Sequence, residues 1–233
     1  QALALQDDAA ATVMPKRSPR RALLLFCAEH GFVAGFNLAL VEAAQGAAPG
    51  AAPDRLFVVG TRGAVAAEEH GLNIAWKHPM TSRAAGVADV ARIIAAELYR
   101  RFVAGDFSRL DTAFGRLDEG GRWQVERRPL LPLDLPHFCA SGGSPPHHYL
   151  PAQGLVERLI EEYFLADLVR AGLESLAAEN AARLHAMTAA HDNVARRLEQ
   201  LQSQERIVRQ EQITEELLDI LAGAELARGT GSR

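Results

Sequence analysis

The sequence predicts an α/β fold, in which a small α/β domain is followed by a long C-terminal coiled-coil helix. Three observations carry this. Short apolar runs at residues 22–27 (ALLLFC) and 56–59 (LFVV) are each followed by a helix-like segment. No proline occurs between Leu155 and Leu226, and along that stretch apolar residues recur at alternating threes and fours.

Residues 1–20 are Ala-rich, then carry Pro15, Lys16, Arg17 and Pro19, which reads as a helix end running into a linker. Residues 21–136 form the expected α/β domain. Its first two strands are continuous apolar runs, as in a parallel sheet covered on both faces. Helices are expected near residues 36–44 and 62–70. A longer amphipathic helix is expected at 87–103, where Val87, Val90, Ala91, Ile94, Leu98 and Phe102 share a face. Two more strands are expected at 110–117 and 123–128, before a proline-laced segment at 129–136. Strands alternating with helices describe a Rossmann-like domain with a largely parallel sheet.

Residues 137–152 read as a loop, because the glycine, serine and proline of CASGGSPPHHYLP do not sustain a helix. Residues 153–228 are expected as the long helix and 229–233 as a disordered tail. At ~1.5 Å per residue the helix would be a rod on the order of 100 Å long, more than a domain of this size wraps. Leu173, Leu176, Asn180, Leu184, Met187, His191, Val194, Leu198, Leu201, Glu205 and Val208 form a narrow seam for a partner helix. Asn180, His191 and Glu205 interrupt it, as register-setting polar groups do. Near the end, Ile213, Leu217, Ile220 and Leu221 make a second apolar face, followed by Gly223 and Ala224.

Charge and composition exclude several classes. A net charge of −4 gives no basic field for nucleic acid. No apolar run approaches the ~20 residues that cross a bilayer. Cys27 and Cys139 lie far apart without CxxC spacing, which suits reduced thiols. Gly31, Gly35 and Asn37 follow a strand and precede a helix, but their spacing is not GxGxxG, and no GxxxxGK[ST] occurs. His137, Cys139, His147 and His148 lack a full ligand set and read as a solvated loop. Glu161–Glu162 and Glu215–Glu216 are adjacent on a helix and point apart. Ser141 and Ser144 lack a base arrangement. No cofactor, metal or catalytic residue is expected.

The segment ITEELLDILAGA at residues 213–224 resembles the C-terminal signature of ATP synthase gamma subunits, with its Ile-Thr, spaced acids and Gly-Ala. Arg209 and Gln210 match the family's Arg-Gln, whereas Arg206 replaces a usual Asn and Leu226 departs. ESLAAENAARLHAM at 174–187, with Asp192 and Asn193, is similar to the family's Ala-rich stretch. EHGFVAGFN at 29–37 looks like a diverged copy of its strand-turn motif. There Gly31, Gly35 and Asn37 match, and Glu29, His30 and Ala34 do not. The family begins with a long basic helix that completes the coiled coil. Here only what reads as its last turns, residues 1–11, is present, so the chain is expected to be a trimmed or partial form.

The resemblance implies a non-catalytic central-stalk rotor subunit of the F-type ATP synthase, coupling ion flow through the membrane c ring to ATP synthesis at the alpha/beta sites. It implies alpha, beta and epsilon subunits and the c ring as partners, and a peripheral place on the cytoplasmic face of a bacterial inner membrane. Ile213, Thr214, Glu216, Leu217, Ile220, Leu221, Gly223 and Ala224 are then expected as rotor-bearing contacts, and Arg206, Arg209 and Gln210 as beta-subunit contacts. Glu29, Gly31, Gly35, Asn37, Ser175, Arg183 and Met187 are expected in the foot region. Two other readings compete: a Rossmann-like nucleotide-binding enzyme with a helical dimerisation arm, and a coiled-coil scaffold.

Overall fold

The structure, a computed structural model, describes residues 20–46, 52–133 and 152–230, with side chains over 154–221 of the last stretch. The readings placed on residues 1–19, on most of the 137–152 loop and on 231–233 lie outside the described residues. So do those on His137, Cys139, Ser141, Ser144, His147 and His148. The chain divides into two units, Gln1–His185 and Ala186–Arg233.

In the first unit, strands β1 (Arg21–Phe26), β2 (Arg55–Val59), β3 (Ile74–His78), β4 (Arg109–Leu117) and β5 (Trp123–Leu131) form one sheet in the order β3-β2-β1-β4-β5. β3, β2, β1 and β4 run parallel and β5 pairs antiparallel with β4. Helices α1 (Phe36–Gln45), α2 (Thr61–Glu69) and α3 (Val87–Val103) make the crossovers, and α4 spans Ala152–Thr230.

Because side chains alternate along a strand, the apolar runs of β1 and β2 serve two cores at once. Leu24, Phe26, Phe57 and Val59 face Val87, Ala91, Ile94 and Leu98 of α3. Leu23, Leu25, Leu56 and Val58 face Phe36, Leu40 and Val41 of α1 and Ala64 and Ala67 of α2. The α3 face is the one its periodicity predicts, with Val90 and Phe102 only partly buried.

Two elements differ from expectation. β3 is an edge strand whose residues are partly exposed, so IAWKH shows neither a continuous apolar run nor a clean alternation. β5 continues through Pro129 to Leu131, and a proline is tolerated there because β5 is the opposite edge of the sheet.

Glu97 on α3 accepts hydrogen bonds from Arg100 and Arg101, and these guanidinium groups hold its carboxyl down at about 2. Arg101 also lies over the Phe57 ring, 5.4 Å from its centroid, which ties the helix surface to β2.

Candidate functional site

Open parallel sheets bind ligands at the carboxyl ends of their strands, where the strand order reverses. In this sheet that point lies between β1 and β4. It is filled by α4 itself. Ser175 Oγ donates to the Phe26 carbonyl at 2.7 Å and accepts from the Gly115 amide at 3.3 Å, so one hydroxyl closes the ends of both central strands.

Small residues make the approach possible. A Cβ on Gly115 would lie 2.5 Å from Phe36 and 2.8 Å from Ala178, and a Cβ on Gly172 would lie 2.8 Å from Val87. Around Ser175, α4 buries Leu168, Ala171 and Leu176 in the α3-side core and Ala178 and Ala182 in the other. The dinucleotide predicted for Gly31 and Gly35 by the competing enzyme reading thus meets a crevice already occupied by Ser175.

The loop after β1 is held by polar contacts. The Glu29 carboxylate accepts from the Thr61 amide at 2.9 Å, the Thr61 hydroxyl at 2.7 Å and the Met80 amide at 2.7 Å. It therefore takes the place of an N-cap for α2, where Gly60 has no side chain to offer. Burial pushes this carboxyl up, but the Thr61 and Met80 hydrogen bonds outweigh it and bring it below the ordinary range. A group with a lowered folded pKa stabilises the fold above its unfolded value and loses that contribution as pH falls. Glu29→Gln is accordingly expected to cost about 1–3 kcal/mol at neutral pH. Chemical denaturation at pH 7 and pH 3 checks this, the variant's deficit shrinking at the lower pH.

Asn37 Oδ1 accepts from the Ala28 amide at 2.9 Å, and His30 Nε2 meets Ser82 Oγ at 2.9 Å. Gly35 holds a left-handed φ of 73° at the start of α1, and Gly31 lies beside Arg62. Phe32 also holds a positive φ, 62°, while 77% exposed.

Glu179, one turn beyond Ser175, is buried and pairs with Arg183 at 2.5 Å. Burial raises its carboxyl above the ordinary range, and the Arg183 hydrogen bond draws it back only in part. Burial, with the Glu179 charge beside it, pushes the Cys27 thiol up to about 12, so Cys27 is an unreactive core group.

Of the expected foot residues, the first unit thus gathers Glu29, Gly31, Gly35, Asn37 and Ser175 at or beyond the end of β1. Arg183 joins them through Glu179, whose carboxyl feels the charges of Glu29 and His30. Sequence reasoning included Glu179 only within the stretch 175–187 and did not name it, and it missed Thr61 and Met80. Met80 acts through its backbone amide, which leaves no mark on residue type.

Met187 lies in the second unit and is exposed. So are Arg206, which shows no side-chain partner among the described contacts, and Arg209, which pairs with Glu205 at 3.1 Å. Ile213, Glu216, Leu217, Ile220 and Leu221 are exposed, and Thr214 Oγ1 donates to the Gln210 carbonyl at 2.8 Å. Gly223 and Ala224 lie within α4, beyond the described side chains. Among the described residues no cluster of His, Cys, Asp and Glu fits a metal, and no helix is long and apolar enough to cross a membrane.

Comparison with known proteins places this geometry in a family. The family model described as ATP synthase matches residues 1–226. The ATP synthase gamma chain of Geotalea uraniireducens (strain Rf4) is 26% identical over 235 residues, covering 96% of this chain and 79% of its own. That of Burkholderia mallei (strain SAVP1) is 35% identical over 125 residues, covering 52% and 43%.

A chain in the cryo-EM structure of the Euglena gracilis mitochondrial ATP synthase, OSCP/F1/c-ring in rotational state 3, superposes with a TM-score of 0.67 at 14% identity, covering 98% of this chain and 78% of that one. One in the central stalk/c-ring structure of the Tetrahymena thermophila mitochondrial enzyme gives 0.57 at 16%, covering 82% and 84%. These likenesses agree with the fold read from the residues, a mixed α/β sheet followed by a long helix. With a family model spanning nearly its whole length and gamma chains as its relatives, this chain belongs to the ATP synthase gamma-chain family.

Proposed function

We propose that this gamma chain, a central-stalk rotor subunit, carries torque between a membrane c ring and a catalytic ring of alpha and beta subunits, and performs no bond chemistry of its own. The observation that carries the reading is the surface of α4 in the second unit. Val194, Leu198, Leu201, Val208, Ile213, Leu217, Ile220 and Leu221 are each more than half exposed. Apolar side chains of this size are worth roughly 1.5–3 kcal/mol each when fully buried, so such a stripe is a surface made to be covered.

On this reading Ile213, Thr214, Glu216, Leu217, Ile220, Leu221, Gly223 and Ala224 turn against a close-fitting sleeve. Arg206, Arg209 and Gln210 meet acidic beta-subunit surfaces. Glu29, Gly31, Gly35, Asn37, Ser175, Arg183 and Met187 belong to the foot, which meets epsilon and the c ring. The seam from Leu184 to Val208 takes the companion helix of the coiled coil. This chain then lies peripherally on the cytoplasmic face of a bacterial inner membrane, held there through its partners.

Co-expression with bacterial alpha, beta and epsilon subunits tests the reading. The chain should co-purify with all three in a complex that hydrolyses ATP. A chain that dimerises with itself and leaves those subunits behind would instead be a scaffold.

A further inference from the structure

We infer that Ser175 is a torsional key, a positioning residue that fixes the rotational setting of α4 against the sheet. The inference rests on the rotor reading, because only a turning shaft needs such a key. Part of the face that α4 packs on the sheet, at Ala171, Gly172, Ala178 and Ala182, consists of small residues with little relief. Leu168 and Leu176 anchor it in the core by apolar contact, which carries no directional bond.

Ser175 differs from them. The residue is 3% exposed, and its hydroxyl bonds two different strands, the Phe26 carbonyl at 2.7 Å and the Gly115 amide at 3.3 Å. A turn of α4 by about 30° moves even its Cα atoms, ~2.3 Å from the axis, by roughly 1.2 Å. The hydroxyl lies farther out and moves more, so both bonds stretch out of hydrogen-bonding range. The low-dielectric surroundings strengthen the two bonds and leave no water to replace them.

Ion pairs on this part of α4 are weaker candidates for the same task. Arg170 binds Glu174 within the helix, which says nothing about rotation, and Arg116 reaches Glu174 only at 4.0 Å. Glu179 likewise pairs within α4, with Arg183. Ser175, by contrast, bonds two strands of the sheet at once.

The test uses the assembled, membrane-bound ATP synthase and reads the ion gradient formed per ATP hydrolysed. Ser175→Ala is expected to lower that ratio by about fivefold while leaving hydrolysis close to wild type, as loss of a buried hydrogen bond from a load path would. Ala67→Gly, a buried change on α2 that weakens the fold without touching the key, should leave the ratio unchanged.

An unchanged ratio in Ser175→Ala, or an equal fall in Ala67→Gly, would overturn the proposal. Should the alanine variant fail to assemble, Ser175→Cys, which fills the site with a poorer hydrogen-bonding group, is read in the same way. If the wild-type chain itself supports no coupled gradient, the rotor reading fails and the key fails with it.

Discussion

Gly63→Ala is expected to cost the first unit about 3 kcal/mol or more, the upper end of what forced overpacking of a core does. The added Cβ would sit 1.9 Å from Cys27 Cβ and 2.5 Å from its sulfur, and both atoms are rigidly placed at the end of β1. No rotamer change relieves a contact between two Cβ atoms, so α2 must move off the sheet. Against a total stability of about 5–15 kcal/mol, a shift of this size lowers the melting temperature by many degrees. Thermal or chemical unfolding of the purified chain measures it. Cys27→Gly in the same background removes the opposing Cβ and should recover part of the loss, which a general destabilisation of α2 would not allow.

Truncation after Arg209 is expected to have the largest effect on function. It removes Ile213, Leu217, Ile220 and Leu221, side chains that the chain's own fold leaves exposed. If all four are covered in the complex, the deletion forfeits on the order of 6–12 kcal/mol of apolar burial at roughly 1.5–3 kcal/mol each. A tenfold loss of ATP synthesis needs only ~1.4 kcal/mol, so losing even a fraction of that burial should depress the rate by more than tenfold. The unfolding transition of the first unit should not move, since that unit ends at His185. A truncated chain that assembles normally and sustains full torque would show that the bearing lies elsewhere.

Much of the architecture was legible in the sequence because it follows from apolar spacing. The continuous runs of β1 and β2 announced a sheet buried on both faces, the periodicity of α3 gave its buried face, and the proline-free stretch gave α4. β3 was not legible, because a short edge strand with partly exposed residues has no pattern to read. In the sequence Pro129 reads as a strand end, although an edge strand leaves its proline no ladder bond to lose.

The helix seam was legible only in part. Leu176 belongs to the domain core, while Leu173, Asn180 and Leu184 on the same predicted stripe stay exposed. The face of α4 that meets the sheet is rotated from that stripe and joins Leu168 and Leu176 to small and polar residues. Its central contacts join Ser175 to Phe26 and Gly115, 149 and 60 positions away, through backbone atoms that every residue possesses. A pattern of side-chain hydrophobicity does not encode such a partner. The resemblance implies a foot position for Ser175, and its bonds to two strand ends are the reason for its burial.

Rotation itself is the most direct measurement. With the catalytic ring fixed to a surface and a bead attached at the β4–β5 hairpin, near Gly120, added ATP should drive the bead steadily in one direction. A bead that only fluctuates about one position, while the same immobilised complexes hydrolyse ATP, would contradict the assignment of this chain as the turning shaft.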